Sequence, residues 1–162
     1  RPADALIAQW VEQIAEEADR KTVMFLTALN RAIHHRCPQV YRAAGPPIPP
    51  RATFEAREGA CRDLAVLFID CCRSQGLPAR FFSGYHGSAD PTGSHELHAW
   101  AEVLLPGVGW QGFDPSYGLL VADEHIALAA AAEPSHAGTV VGSYRGDASA
   151  TMTSSLSLAT SQ

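Results

Sequence analysis

Residues 59–78, GACRDLAVLFIDCCRSQGLP, carry the pattern of one buried helix with both ends marked. Cys61 opens the run CRDLAVLFIDCCRSQ, Gly76 ends it and Pro78 follows, the order expected at a helix C-terminus. Cys61 therefore falls in the first turn. N–H groups there have no acceptor within the helix, and the macrodipole puts its positive end beside them. The position favours an anionic sulfur and offers donors to a developing oxyanion. Asp63, two residues on, is the acidic type favoured in a first turn. A lone cysteine entering an apolar helix is nevertheless more often a small buried hydrophobe, so the decision rests on what the rest of the chain supplies.

Upstream, Leu6, Ile7, Trp10, Val11 and Ile14 recur at helical spacing from Asp4 to about Glu17, with Gln9, Glu12, Gln13, Glu16 and Glu17 on the other face. A second run, Lys21 to His35, is apolar over most of its circumference and reads as a buried helix whose solvated end holds His34 and His35. Cys37-Pro38 stops it. Five prolines (38, 46, 47, 49 and 50) make the stretch to Arg51 an extended, semi-rigid loop. Thr53 is expected to cap a single turn through Arg57, with Gly59 as its exit.

Downstream, ARFFSGYHG (79–87) has the aromatic content of a strand ended by glycine. HAWAEVLLPGVGWQGFDPS (98–116) reads as two strands about a Pro-Gly-Val-Gly turn. With the turn centred on Pro106, paired residue numbers sum to 212, and His98 faces Asp114 on one sheet face at the ~5 Å Cβ separation of a cross-strand pair. A shift of register or a bulge at Gly112 would move that pairing. A thiol is a weak nucleophile until a base takes its proton. An imidazole can do so and later protonate the leaving group, while a carboxylate fixes the imidazole tautomer. Cys61, His98 and Asp114 are the residue types for that chemistry, although nothing local brings Cys61 to the hairpin.

Composition limits the alternatives. A chain of 162 residues, 46% hydrophobic and 18% charged, fits one soluble globular domain. A net charge of −5 without a Lys/Arg cluster argues against nucleic acid or an anionic membrane surface as the main partner. No apolar run reaches the roughly 18–20 residues of a membrane span. The opening Arg1-Pro2-Ala3-Asp4 lacks a signal-peptide layout and a methionine, which reads as a domain from a longer protein or a processed chain. Four cysteines are too few for a disulfide scaffold. Reduced thiols and a cytoplasmic location are expected.

The blocks GACRDLAVLFIDCCRSQGLPARFFSGY and HAWAEVLLPGVGWQGFDPSYG together resemble the bacterial transglutaminase-like superfamily, whose pattern is G-x-C-x-D, G-[IL]-P-A-R-x-x-S-G-Y, H-A-W-x-E and G-W-x-x-F-D-P. The resemblance covers about residues 20–146. It implies an α+β fold related to papain-like cysteine proteases, with N-terminal helices packed on an antiparallel sheet in one domain over residues 1–162. It also implies Cys61 as nucleophile, His98 as base and Asp114 as orienting carboxylate. Tyr85 and Trp100 become candidates to line a substrate cleft, with core packing the alternative for each, and Tyr41 or Gln39 a candidate donor to the oxyanion. Family members often place Gly-Arg-Asp-Tyr after a D-x-H-I segment. Here Asp123-Glu124-His125-Ile126 runs instead into Ala129–Ala132 and Glu133-Pro134, so the rim of the site is expected to differ.

The expected activity is attack on a peptide or glutamine-type amide through a thioester, with hydrolysis favoured over transfer to an amine and a protein or peptide as substrate. A non-catalytic binding module on the same fold and an acyltransferase using a thioester donor are the alternatives. No cofactor or metal is expected: calcium has no acidic loop, and His95 and His98 with Cys71 or Cys72 lack a zinc-binding pattern. Residues 119–137 are expected to form a surface loop with a helical piece at 126–132, followed by late strands in 139–146 and 150–160.

Overall fold

The computed structural model describes residues 4–87 and 97–138, together with 142, 145–147, 149 and 151. Four helices precede the sheet: α1 (Ala5–Glu17), α2 (Thr22–Arg36), α3 (Pro50–Ala56) and α4 (Cys61–Ser74). Five strands follow, β1 (Ala79–His86), β2 (Leu97–Leu105), β3 (Gly109–Asp114), β4 (Leu119–Leu120) and β5 (His125–Ala131), then a 3-10 turn, Pro134–His136. The sheet runs β4-β3-β2-β1-β5 and every pairing is antiparallel.

Local chemistry explains the helix ends. Asp4 caps α1 by accepting from the Leu6 N–H at 3.0 Å, and the buried stripe is Ile7, Val11, Ile14 and Ala15. Helix α2 is less buried than its composition suggests. Phe25, Leu26, Leu29, Asn30 and Ile33 face inward, whereas Val23 and Met24 are exposed. The third helix starts earlier than Thr53: Pro50, with its φ fixed and no N–H to satisfy, sits at the first helical position, and Thr53 is a buried interior residue. Its exit is Arg57, in left-handed geometry at φ 56°, rather than Gly59.

Helix α4 is the centre of the core. Leu64, Leu67, Phe68, Cys71 and Cys72 are fully buried, and Phe68 stacks on Phe113 of β3 at 5.4 Å. Beneath lie Ala99, Ala101 and Val103, the small and branched inward side chains of β2. All four cysteines are unpaired and buried. No helix among the described residues is long and apolar enough to cross a membrane.

The alanine-rich stretch after residue 124 is a strand, not the helix its composition suggests. Strand β5 supplies hydrogen-bond partners to the outer edge of β1, where Phe81 pairs with Ala131 and His86 with His125. A short run without a capping side chain makes a marginal helix, and the unpaired edge of β1 outweighs that propensity. A bulge falls between Ser83 and Gly84. The backbone of β5 comes so close there that a Cβ on Gly84 would lie 2.1 Å from the Ile126 carbonyl oxygen and 2.5 Å from the Trp100 ring.

The connection between the two edge strands shapes the sheet. Leu120 ends β4 and His125 starts β5, a span of about 17 Å at full extension. The edges of a flat five-stranded sheet stand about 19 Å apart. The sheet therefore curls at this end and draws the edges together. The late strands expected in 139–146 and 150–160 lie almost wholly outside the described residues, as does His95.

Candidate active site

His98 and Asp114 meet by a route slightly different from direct opposition. Ala101 pairs with Phe113 and Leu105 with Gly109, so paired numbers sum to 214 and the turn centres on Gly107. Continued to the end of β3, this register sets Asp114 across from Trp100 and makes His98 its diagonal neighbour. A two-residue displacement keeps both side chains on one face, and the imidazole reaches across. His98 Nε2 lies 2.6 Å from Asp114 Oδ2, with both residues buried.

Asp114 accepts three hydrogen bonds. The Ser116 N–H donates to Oδ1 at 2.9 Å. Oδ2 takes His98 Nε2–H and also His125 Nε2–H, the latter at 3.0 Å. His125 Nδ1 in turn accepts from the Ala122 N–H at 3.3 Å. His98 therefore carries a proton on Nε2 toward the carboxylate, and its Nδ1 is left for Cys61, whose sulfur lies near enough to act on the ring. Cys61 is the first residue of α4 and is nearly buried.

The electrostatics follow from this arrangement. Burial works against a charged His98, but the Asp114 carboxylate and the Cys61 sulfur outweigh it and raise the ring from 6.5 to about 9. Burial opposes the charge on Asp114 too, yet the His125 and His98 donors hold its carboxyl well below the usual carboxylate range. His86, opposite His125 on β1, is pushed down by burial and by the neighbouring His125 and His98. Tyr117, its ring 5.3 Å from that of His98 and 4.7 Å from that of His86, is pushed up by burial and by Asp114 and Cys61.

The segment in front of Cys61 is tied down by Asp63. One carboxylate oxygen accepts from Arg42 at 2.5 Å and from the Ile48 N–H at 2.9 Å, and the other from the Ala60 N–H at 2.9 Å. That last bond is the N3-to-N-cap half of a capping box. Arg62 adds bonds to the Arg42 and Ala44 carbonyls. The Asp of G-x-C-x-D thus fastens the proline-rich loop across the start of the cysteine helix.

The remaining candidates are placed as follows. Trp100 is buried, stacked on Phe82 at 5.7 Å and edge-on to His125 at 5.2 Å; it packs beneath the imidazoles. Tyr85 is half-buried and, by alternation from Gly84, which pairs with His98, points to the face opposite His98. Tyr41 is 73% exposed on the loop. Gln39 bridges to Gly59, two residues before Cys61. His34 is not free at its helix end, because its Nδ1–H donates to the Ser116 carbonyl at 2.9 Å and holds the turn after Asp114. Ligand atoms of His98, Asp114 and His125 lie within 4.8 Å of one another, but the 2.6 and 3.0 Å contacts are hydrogen bonds whose protons fill the space a metal ion would need. A surface hollow of about 460 Å³ lined by Leu77, Pro78, Leu105 and Val108 lies at the β2–β3 turn, the far end of β2 from His98.

His125 and Tyr117 did not emerge from sequence patterning. The signal for His125 was present in the D-x-H-I segment, but an alanine run behind it disguised the strand.

The model of the transglutaminase-like superfamily matches residues 8–115, two-thirds of the chain, including Cys61, His98 and Asp114. The chain belongs to the transglutaminase-like superfamily. A Mycobacterium tuberculosis protein is 39% identical over 83 residues, 45% of this chain and 26% of its own length. A Pseudomonas aeruginosa protein-glutamine gamma-glutamyltransferase is 38% identical over 80 residues, 45% of this chain and 12% of its own. This transglutaminase-like chain thus spans about a quarter or less of the length of these relatives. Among solved structures, a candidate cysteine protease from Cytophaga hutchinsonii superposes with a TM-score of 0.67 at 23% identity, covering 82% of this chain and 45% of that one, a likeness of fold.

Proposed function

We propose that this transglutaminase-like domain attacks amide carbonyls with Cys61, using His98 as base and Asp114 as the carboxylate that orients it. One observation carries the reading: His98 Nε2–H is committed to Asp114, and Cys61 lies close enough to the same ring to help raise its pKa. In that geometry the thiol proton passes to Nδ1 before attack, and the thiolate left beside the imidazolium adds to the carbonyl carbon. The imidazolium returns the proton to the departing amine, leaving a thioester on Cys61. The Cys61 N–H, at the first position of α4, can donate to the oxyanion. Water then adds to the thioester and His98 takes its proton, which releases the acid and restores the thiol.

The glutamyltransferase relative acts, by its name, on protein glutamine, and a glutamine side-chain or peptide amide is the substrate class we assign to this chain. Hydrolysis is the favoured outcome, since water is always at hand and no group here marks an amine site.

The test is the rate of Cys61 alkylation by iodoacetamide at pH 6, followed by peptide mass spectrometry, in the parent, His98→Ala and Cys61→Ala. Cys61 should react faster than Cys37, Cys71 and Cys72 and lose that advantage in His98→Ala. Cys61→Ala should keep the fold and form no acyl adduct with glutamine-containing peptides. Equal rates in the parent and His98→Ala would refute the triad.

A further inference from the structure

Asp114 Oδ2 receives two imidazole N–H groups where the proposed chemistry uses one. The second comes from His125, whose side chain is 3% exposed. Its tautomer is fixed by a backbone contact: Nδ1 faces the Ala122 N–H, which can only donate, so the ring proton must sit on Nε2 and point at the carboxylate. Such a ring has a proton to share with Asp114 but no lone pair free for substrate. Its plane is set by Trp100, edge-on at 5.2 Å, and His86, edge-on at 4.7 Å. The groups around the pair are His98 on β2, His86 on β1, Tyr117 after β3 and Cys61 on α4, with Glu124 3.5 Å beyond His86.

A carboxylate with a single donor per oxygen can rotate about its Cβ–Cγ bond, carrying the hydrogen-bonded imidazole with it. Ser116 N–H on Oδ1 and His125 Nε2–H on Oδ2 hold both ends. We propose that His125 is a positioning residue for this site: as an Nε2–H donor locked by Ala122, it pins the Asp114 carboxylate so that His98 presents Nδ1 to Cys61. This rests on the triad reading above, and it extends the site to β5, the strand at the far edge of the sheet. In this role His125 acts through Asp114 and does not touch the substrate.

The experiment compares parent, His125→Phe, His125→Gln and His98→Ala at pH 7.5 by two readouts. One is the Cys61 alkylation rate; the other is the ring-proton NMR resonance of His98 Nε2–H, which is visible only while its hydrogen bond to Asp114 shields it from exchange. Phe keeps the ring volume and loses the donor, whereas the Gln amide restores a donor near the Nε2 position. A hydrogen bond to a charged group is worth about a factor of ten. Cys61 in His125→Phe should therefore react about tenfold more slowly and the His98 resonance should vanish, while His125→Gln should recover both. An unchanged rate and resonance in His125→Phe, or failure of His125→Gln to the same extent as His125→Phe, would overturn the proposal. Should His125→Phe not fold, ring-nitrogen shifts of the parent decide: a proton on Nε2 of His125 supports the assignment and one on Nδ1 overturns it. Failure of the triad reading has a different signature, equal alkylation in parent and His98→Ala.

Discussion

Replacing Asp114 by Asn tests the electrostatic core of the site with little change of shape. The carboxylate accepts from His98, His125 and Ser116; an amide offers one acceptor oxygen to the same three donors and turns an N–H group on at least one of them. His98 loses the partner that outweighs its burial and helps raise it from 6.5 to about 9, a displacement worth up to about 3 kcal/mol, part of which Cys61 supplies. For a group whose pKa is raised on folding, that stability is fully present below 6.5 and is lost as pH rises through about 9. Burial also pushes up the thiols of Cys37, Cys71 and Cys72, which costs stability in alkali, but parent and variant share that loss and it cancels in their difference. Urea unfolding of both proteins at pH 5.5 and pH 10 is the assay. The deficit of Asp114→Asn should be larger at pH 5.5, by up to about 3 kcal/mol, and Cys61 alkylation should slow at pH 7. A deficit of equal size at both pH values would mean that the carboxylate serves packing alone and does not hold a charged His98.

Two further substitutions probe the frame around the site. Gly84→Ala places a methyl 2.1 Å from the Ile126 carbonyl, a backbone atom that cannot yield without separating β5 from β1; it should lower stability by about 1–3 kcal/mol or more in urea titration, and an unchanged midpoint would contradict the close approach. Asp63→Ala strands the Ala60 and Ile48 N–H groups and releases Arg42. With Arg42 about a third exposed, the cost should be about 2 kcal/mol, and trypsin should cut after Arg42 faster than in the parent. Equal cleavage would show that the loop is held by other contacts.

Much of the helical half was legible because its signals are local. The apolar spacing from Asp4 to Glu17, Cys37-Pro38 as a stop and Gly76 with Pro78 as an exit are statements about neighbouring residues. A threonine cap at Thr53 misplaces α3, because Pro50, three residues earlier, can start the helix. Strand β5 was missed for a non-local reason. Nothing in residues 125–131 favours extension as strongly as the vacant edge of β1 does, and that edge is distant in the chain: Phe81 stands 50 residues before the Ala131 with which it pairs.

At the site, parity was readable where register was not. A turn centred on residue 107 instead of 106 displaces every pairing by two positions, and two positions is one full period of a strand, so His98 and Asp114 stay on a common face and exchange direct opposition for a diagonal contact. A shift of one position would have separated them. His125 obeys no such arithmetic. In a flat sheet β3 and β5 stand three spacings, about 14 Å, apart, beyond the combined reach of an aspartate and a histidine. The 3.0 Å contact shows that the sheet curls, and the short link from Leu120 to His125 limits how far its two edges can part. The length of that link should therefore control the His125–Asp114 hydrogen bond: inserting two glycines after Asp123 relaxes the curl, and the His98 Nε2–H resonance should then weaken as it does in His125→Phe. A resonance indifferent to the insertion would mean that the β1–β5 pairing alone holds His125 in place.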